Sequence, residues 1–369
     1  MRVMILADEL FASRERAMLS RLEVGMADEG VRVIHAIPER AAGRVDARGP
    51  EIFSQAITYS DVAMPFADRF RAASLARSLE ELVTDENPVD VIHVFGGGVW
   101  NLGIQLGKLT EAGVVLEVWR SGLAARASST REKHGPPIVF LAPDPSIERL
   151  LLAEGPGVTV RLAPWGVHVG SQSREILLEN RTPSVMVIGT GRDPRPYAAA
   201  LEGIAQAVNS GLDCMIFMDA LAAHRARVWP LAQRLGLLSR LSLIEELEGR
   251  RDLVLLGDVL VQPDSSGEQR SILLDAMASG MIVVAASDAS VSALIDGRTA
   301  RLVQGSDAPS WGQGICGVLS DRARSREIGR SARKFVKDHR LASGQVRAIL
   351  DAYQWLTSSD AIPLRQPPG

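Results

Sequence analysis

Ser271 and Asp275 stand four residues apart, so on a helix they share one face, one turn from each other. Ahead of them lie small and polar residues at 263–267 (PDSSG), preceded by a compact apolar run at 259–261. A strand that enters a helix through such a loop gathers unpaired backbone N–H groups at one point, where an anion is held. A carboxylate one turn into that helix can accept hydrogen bonds from sugar hydroxyls. Phosphate and sugar side by side are the chemistry of a nucleotide sugar.

The elements that must position these groups follow a regular order. Residues 3–6 are an apolar run, 11–28 carry helical spacing at Met18, Leu19, Leu22 and Met26, and 31–37 are apolar again. That is the strand–helix–strand rhythm of a parallel sheet. It continues with a helix at 66–84, a strand at 91–95 running into Gly96, Gly97 and Gly98, a helix at 100–111, and strands at 114–118, 137–141 and 158–162. Residues 38–60 fit no element, and the polar, basic stretch 120–136 reads as a mobile surface loop.

Pro164, Gly166 and Gly170 break the pattern, and the polar run 171–183 reads as a connector. The rhythm then restarts: strands at 184–188, 212–218 and 241–244, helices at 197–208, 228–235 and 247–256, then the opening stretch. The order predicts an α/β protein of two doubly wound, Rossmann-like parallel-sheet domains facing a cleft, 1–170 and 171–369. The last helix, 344–356, is placed to pack back on the first domain, and the Pro-rich tail to be disordered. Ligands of such sheets bind beyond the carboxyl ends of the strands.

At 369 residues the chain exceeds one ordinary core. A hydrophobic content of 46%, 23% charged residues and a net charge of −3 describe a globular protein with no bias toward nucleic acid. The apolar run at the start is too short for a signal peptide, and no stretch nears the ~18 apolar residues of a membrane span. A cytoplasmic location is expected. Cys214 and Cys316 lie too far apart for a disulfide framework or zinc site and read as buried thiols.

Other motifs fail. No DxD pair and no GxxxxGK[ST] loop occurs, and Gly189 and Gly191 make only half a dinucleotide fingerprint. The six histidines are dispersed, and His93, inside a strand, reads as a satisfied core residue.

The run LLDAMASGMIVVA at 273–285, with IHVFGG at 92–97 and APWGVHV at 163–169, resembles the family-4-like retaining glycosyltransferases (glycosyl transferases group 1), which have the GT-B fold. The resemblance covers residues 1–356 and diverges in the catalytic motifs. That family has two glutamates separated by seven intervening residues, the second gripping the ribose and the first touching the donor sugar. Here the second position is Asp275, and the first falls on Gly267 with Glu268 directly after it. An Arg and a Lys that neutralise the departing diphosphate fall on Thr190 and Arg195, with Arg192 between. A His that contacts the donor sugar is replaced by Trp119, and the loop after the first strand lacks its glycines.

The resemblance therefore implies retaining, metal-independent transfer of a sugar from a nucleotide-diphosphate sugar to a carbohydrate or lipid-linked acceptor, with no cofactor. Glu268 and Arg195 would be catalytic. Asp275, Arg192, Gly189, Ser266, Gly267, Gln269, Arg270 and Ser271 would bind the donor. On the acceptor side stand Gly96, Gly97 and Gly98, whose missing side chains admit a ligand to the backbone, and Trp119 with Arg120. No nucleic acid or transmembrane segment is expected, and the 120–136 stretch is a candidate for peripheral membrane contact. The alternative is a non-catalytic GT-B homologue that binds a nucleotide or a partner protein.

Overall fold

The computed structural model describes residues 1–41, 55–61, 67–82, 88–130, 135–155 and 158–358. The chain divides into two compact units: Met1–Trp165 joined by the segment that begins at Ala342, and Gly166–Leu341. Each is built on one wholly parallel sheet with helices in the crossovers.

The first sheet has the order β3-β2-β1-β4-β5-β6-β7. Its strands are β1 (Arg2–Ala7), β2 (Arg32–Pro38), β3 (Ala56–Tyr59), β4 (Val91–Phe95), β5 (Gly113–Glu117), β6 (Ile138–Ala142) and β7 (Val160–Leu162). The central strands are largely apolar, as strands buried on both faces are; every residue of β4 and β5 is buried, His93 and Glu117 included. Val3 of β1 pairs with Val33 on one side and Val91 on the other, so the strand order reverses between β1 and β4.

The second sheet has the order β10-β9-β8-β11-β12-β13. Its strands are β8 (Ser184–Val187), β9 (Met215–Asp219), β10 (Leu241–Ile244), β11 (Val259–Gln262), β12 (Ile282–Ala286) and β13 (Arg301–Val303). Here the order reverses between β8 and β11, where Val259 pairs with Val185. The connector is pinned by the buried Asp258, which accepts hydrogen bonds from the N–H groups of Leu177 and Ser184, each at 2.9 Å, and pairs with Arg181.

Four elements differ from the sequence reading. The helix expected over 11–28 is two, Glu9–Arg14 and Arg16–Asp28, because Glu15 leaves helical geometry (φ −102°, ψ 18°). The stretch 120–136, read as a mobile loop, includes a 3-10 turn, Ser121–Leu123, and a helix, Ala124–Thr130, the segment 131–134 lying outside the described residues. Burial of Leu123, Ala124 and Ala127 anchors it, a face of small residues that the polar composition conceals. Residues 38–60 include a sheet strand, β3, the segment 42–54 lying outside the described residues. The helix expected over 247–256 is a 3-10 turn, Leu247–Gly249, followed by one short helix, Arg251–Val254. Glu246, in left-handed geometry (φ 50°), precedes the turn, and Arg250 at ψ 67° separates it from the helix. The Pro-rich tail lies outside the described residues.

The last helix, Ala342–Thr357, belongs to the first unit. Tyr353, fully buried, stands 2.7 Å from Nδ1 of His93, whose Nε2 lies 3.2 Å from Glu117. Glu117 also accepts the indole N–H of Trp165 at 2.6 Å. Burial lowers the His93 pKa against the opposing pull of Glu117, which matches a core histidine.

Candidate functional site

In the second unit the groups converge where the strand order reverses. β8 leads through Ile188 to Gly189 (φ +137°), where a side chain would fall on Asp264 and Tyr197. The Gly189 N–H donates to Glu248 at 2.9 Å, and the Thr190 hydroxyl donates to Asp264 at 3.0 Å. β11 leads into a loop with two left-handed residues, Ser266 (φ 48°) and Gly267 (φ 72°). Asp288 holds that loop: it accepts from the Ser265 hydroxyl at 2.6 Å, the Gly267 N–H at 2.7 Å and the Ser290 N–H at 2.8 Å. Half-burial pushes the Asp288 pKa up, and these donated hydrogen bonds together outweigh it, so the carboxyl sits below its ordinary value.

The helix Ser271–Ser279 begins without a side-chain cap; its N-cap position is Arg270. Arg270 pairs tightly with Glu248 and lies 3.8 Å from Glu268, all three being buried. Arg251 donates to the Ser271 hydroxyl at 3.0 Å and stands 3.7 Å from the carboxylate of Asp275. Gln269 donates to the Ser290 carbonyl. Two guanidinium groups thus collect at the positive end of a helix, with Glu248, Glu268 and Asp275 offsetting them. With the side-chain charges offset, it is the backbone N–H groups of the helix start that suit an incoming anion.

The structure brings together Gly189, Gly267, Glu268, Gln269, Arg270, Ser271 and Asp275. It does not bring Arg195 to them. Arg195 is the second residue of the helix Pro194–Asn209 and forks onto its N-cap, Asp193, at 2.7 Å, with its side chain 88% exposed. The hydrogen bonds from Arg195 hold the Asp193 carboxyl down at about 2. Arg192 is exposed too; its N–H donates to the Thr190 hydroxyl at 3.1 Å, and no ion pair engages its side chain among the described residues. Sequence reasoning missed Glu248, Arg251 and Asp288. The first two lie in a run mistaken for one helix, whose Gly249 was the available sign of a break.

In the first unit the corresponding reversal, between β1 and β4, gathers Asp8, Gly96 and Gly98. The Asp8 N–H donates to the Phe95 carbonyl at 2.9 Å, and its carboxylate caps the helix Glu9–Arg14 through the Phe11 N–H at 3.1 Å. Gly96 (φ +102°) leaves no room for a side chain against that carboxylate. Burial raises the Asp8 pKa from 3.8 to about 6, opposed by N–H groups of Phe11, Gly98 and Leu10 and by the charge of Arg120. Trp119 is enclosed, 5% exposed, with its ring edge-on to Phe11 at 5.4 Å. Arg120 lies over the Trp119 ring at 5.4 Å, and Gly97 gives its carbonyl to Arg126 at 2.6 Å. Asp8 escaped the sequence reading, although a polar residue directly after the first strand was the signal.

Among the described residues no helix is long and apolar enough to cross a membrane. No protein-family model matches the chain, and no curated protein matches it in sequence. Solved structures do match it in fold over nearly its whole length. The sucrose-phosphate synthase of Thermosynechococcus elongatus superposes with a TM-score of 0.73 at 15% identity, covering 96% of this chain and 99% of its own. Anabaena HepE in complex with UDP-glucose does so at 0.71 and 11% identity, with 96% and 99% covered. A UDP-N-acetylglucosamine 2-epimerase described as putative, from Listeria monocytogenes, gives 0.62 at 14%, with 96% of each chain covered. The chain has the GT-B fold. Transferases and an epimerase are both among these neighbours, so the fold by itself assigns no activity.

Proposed function

We propose that the protein is a glycosyltransferase that moves a sugar from a nucleotide-diphosphate sugar to an acceptor, with retention of configuration and without a metal ion. The observation that carries this reading is the uncapped start of the helix Ser271–Ser279 with Arg270 and Arg251 gathered at it. A diphosphate there would meet backbone N–H groups and guanidinium charge together. Asp275, one turn further in, would accept hydrogen bonds from the ribose, and Glu268 from the donor sugar. Arg192 takes the outer phosphate in place of Arg195, which Asp193 already occupies. Breaking the bond from sugar to phosphate leaves negative charge on the diphosphate, and these donors stabilise it as it forms.

Epimerisation would want a histidine beside the carboxylates. His35 and His93 are core residues of the first unit. The non-catalytic reading keeps one observation on its side, the enclosed Trp119 where the resembling family has its sugar-binding His.

Titration with uridine and guanosine diphosphates tests binding, and donor hydrolysis tests the roles. We expect Asp275→Ala and Arg192→Ala each to slow hydrolysis at least tenfold, equivalent to ~1.4 kcal/mol of transition-state stabilisation. Arg195→Ala should change it little. Nucleotide binding with no turnover of any donor selects the non-catalytic reading. Turnover that neither Asp275→Ala nor Arg192→Ala slows sinks the assignment.

A further inference from the structure

A second polar site lies in the first unit, beside the turn at Gly97. It is a cavity of about 450 Å³ whose lining includes Asp68, Arg69, Asn101, Gln105, Arg126 and Thr130. Its walls come from the start of the helix Ala67–Glu80, the start of the helix Trp100–Thr110 and the helix Ala124–Thr130. Arg126 links it to the turn that follows β4: it donates to the Gly97 carbonyl at 2.6 Å and to the Asn101 side chain at 3.3 Å, and stacks over Trp100 at 5.2 Å. The cavity therefore opens at the carboxyl edge of the sheet, where such folds take their ligands.

Its chemistry is selective. Asp68 is neutralised by Arg71 at 3.2 Å, while no carboxylate pairs with Arg69 or Arg126 among the described residues. The excess charge is positive. Both partners of Arg126 are neutral oxygens, so its guanidinium is oriented without losing its charge. Thr130 donates its hydroxyl to the Arg126 carbonyl at 2.7 Å, which leaves its oxygen to accept from a ligand. Asn101 and Gln105 add amides, and among the described residues of the lining Ile104 alone is apolar. Two guanidinium groups among amides and hydroxyls suit an anion attached to a polyol, and the lining gives an acyl chain or an aromatic base little surface to pack on.

We infer that this cavity binds a sugar or polyol carrying a phosphate ester, with Arg69 and Arg126 on the phosphate. That such a ligand is the acceptor of the transfer rests on the function proposed above; the binding does not. A soluble sugar phosphate and a lipid headgroup share this chemistry.

The experiment titrates the full chain with glucose 1-phosphate, with glucose, with phosphatidylglycerol vesicles and, separately, with uridine diphosphate. We expect glucose 1-phosphate to bind and glucose to bind at least tenfold more weakly. Arg69→Gln and Arg126→Gln should each weaken the phosphate ligand about tenfold. Arg69 is exposed, so its variant keeps the fold if Arg126→Gln disturbs the Gly97 turn. Binding to vesicles alone, lost in Arg69→Gln, also supports the inference and makes the source a lipid headgroup. Equal affinity for glucose and its phosphate, no binding to either phosphate ligand, or indifference to Arg69→Gln overturns it. Uridine diphosphate binding in a protein that ignores both phosphate ligands rejects the cavity and spares the donor reading; the reverse pattern does the opposite.

Discussion

At the scale of the residue, the two strand reversals hold carboxylates under opposite constraints. Asp288 is surrounded by donors and is kept ionised, whereas burial raises Asp8 to about 6. The folded state therefore prefers Asp8 protonated. Its contribution to stability is complete below 3.8 and is lost as pH rises through about 6. A shift of that size corresponds to at most about 3 kcal/mol, less whatever solvent screening removes. Asn caps a helix as well as Asp does and does not titrate. Urea unfolding of Asp8→Asn and the parent protein between pH 4 and 7 should give a stability difference that moves in favour of the variant as pH rises. Two curves that run parallel across that window would show that Asp8 does not titrate there.

At the scale of the element, close packing depends on glycines that allow backbones to meet. In the second unit the helix Pro194–Asn209 lies against the helix Ala308–Ser320 at Gly203, where an added Cβ would stand 2.7 Å from the backbone of Trp311 and Gly312. Backbone cannot swing aside as a side chain can, so the helices must separate. We expect Gly203→Ala to cost about 1–3 kcal/mol, as overpacking of a filled core does. The measurement is the denaturant midpoint at constant slope. Helix propensity alone would favour Ala by up to ~1 kcal/mol; a stabilised variant would mean that the contact yields.

At the scale of the whole molecule, the chain leaves the first unit at Trp165 and returns to it at Ala342. The returning helix buries Ile349, Tyr353 and Leu356, and Leu356 lies over Gly113. Each such side chain contributes ~1.5–3 kcal/mol, and together they rival the total stability of an ordinary domain, ~5–15 kcal/mol. A chain that ends after Leu341 should lose the cooperative transition of the first unit. The second unit, which is complete by then, should keep its own. Calorimetry of the two chains distinguishes this from a uniform loss.

The alternation of strands and helices, the two parallel sheets and the helix that carries Ser271 and Asp275 could all be read from the chain, because hydrophobic period and helical spacing are local properties. The charge distribution of the site could not. Glu248 reaches the Gly189 N–H across 59 residues of sequence, and Arg251 meets Ser271 across 20. Arg195, chosen by its position in a motif, is instead claimed by the aspartate two residues before it. Spacing along a chain states which groups share a turn. Which groups share a site depends on how distant loops fold back over the ends of the strands, and that is settled by packing, where no local period leaves a trace.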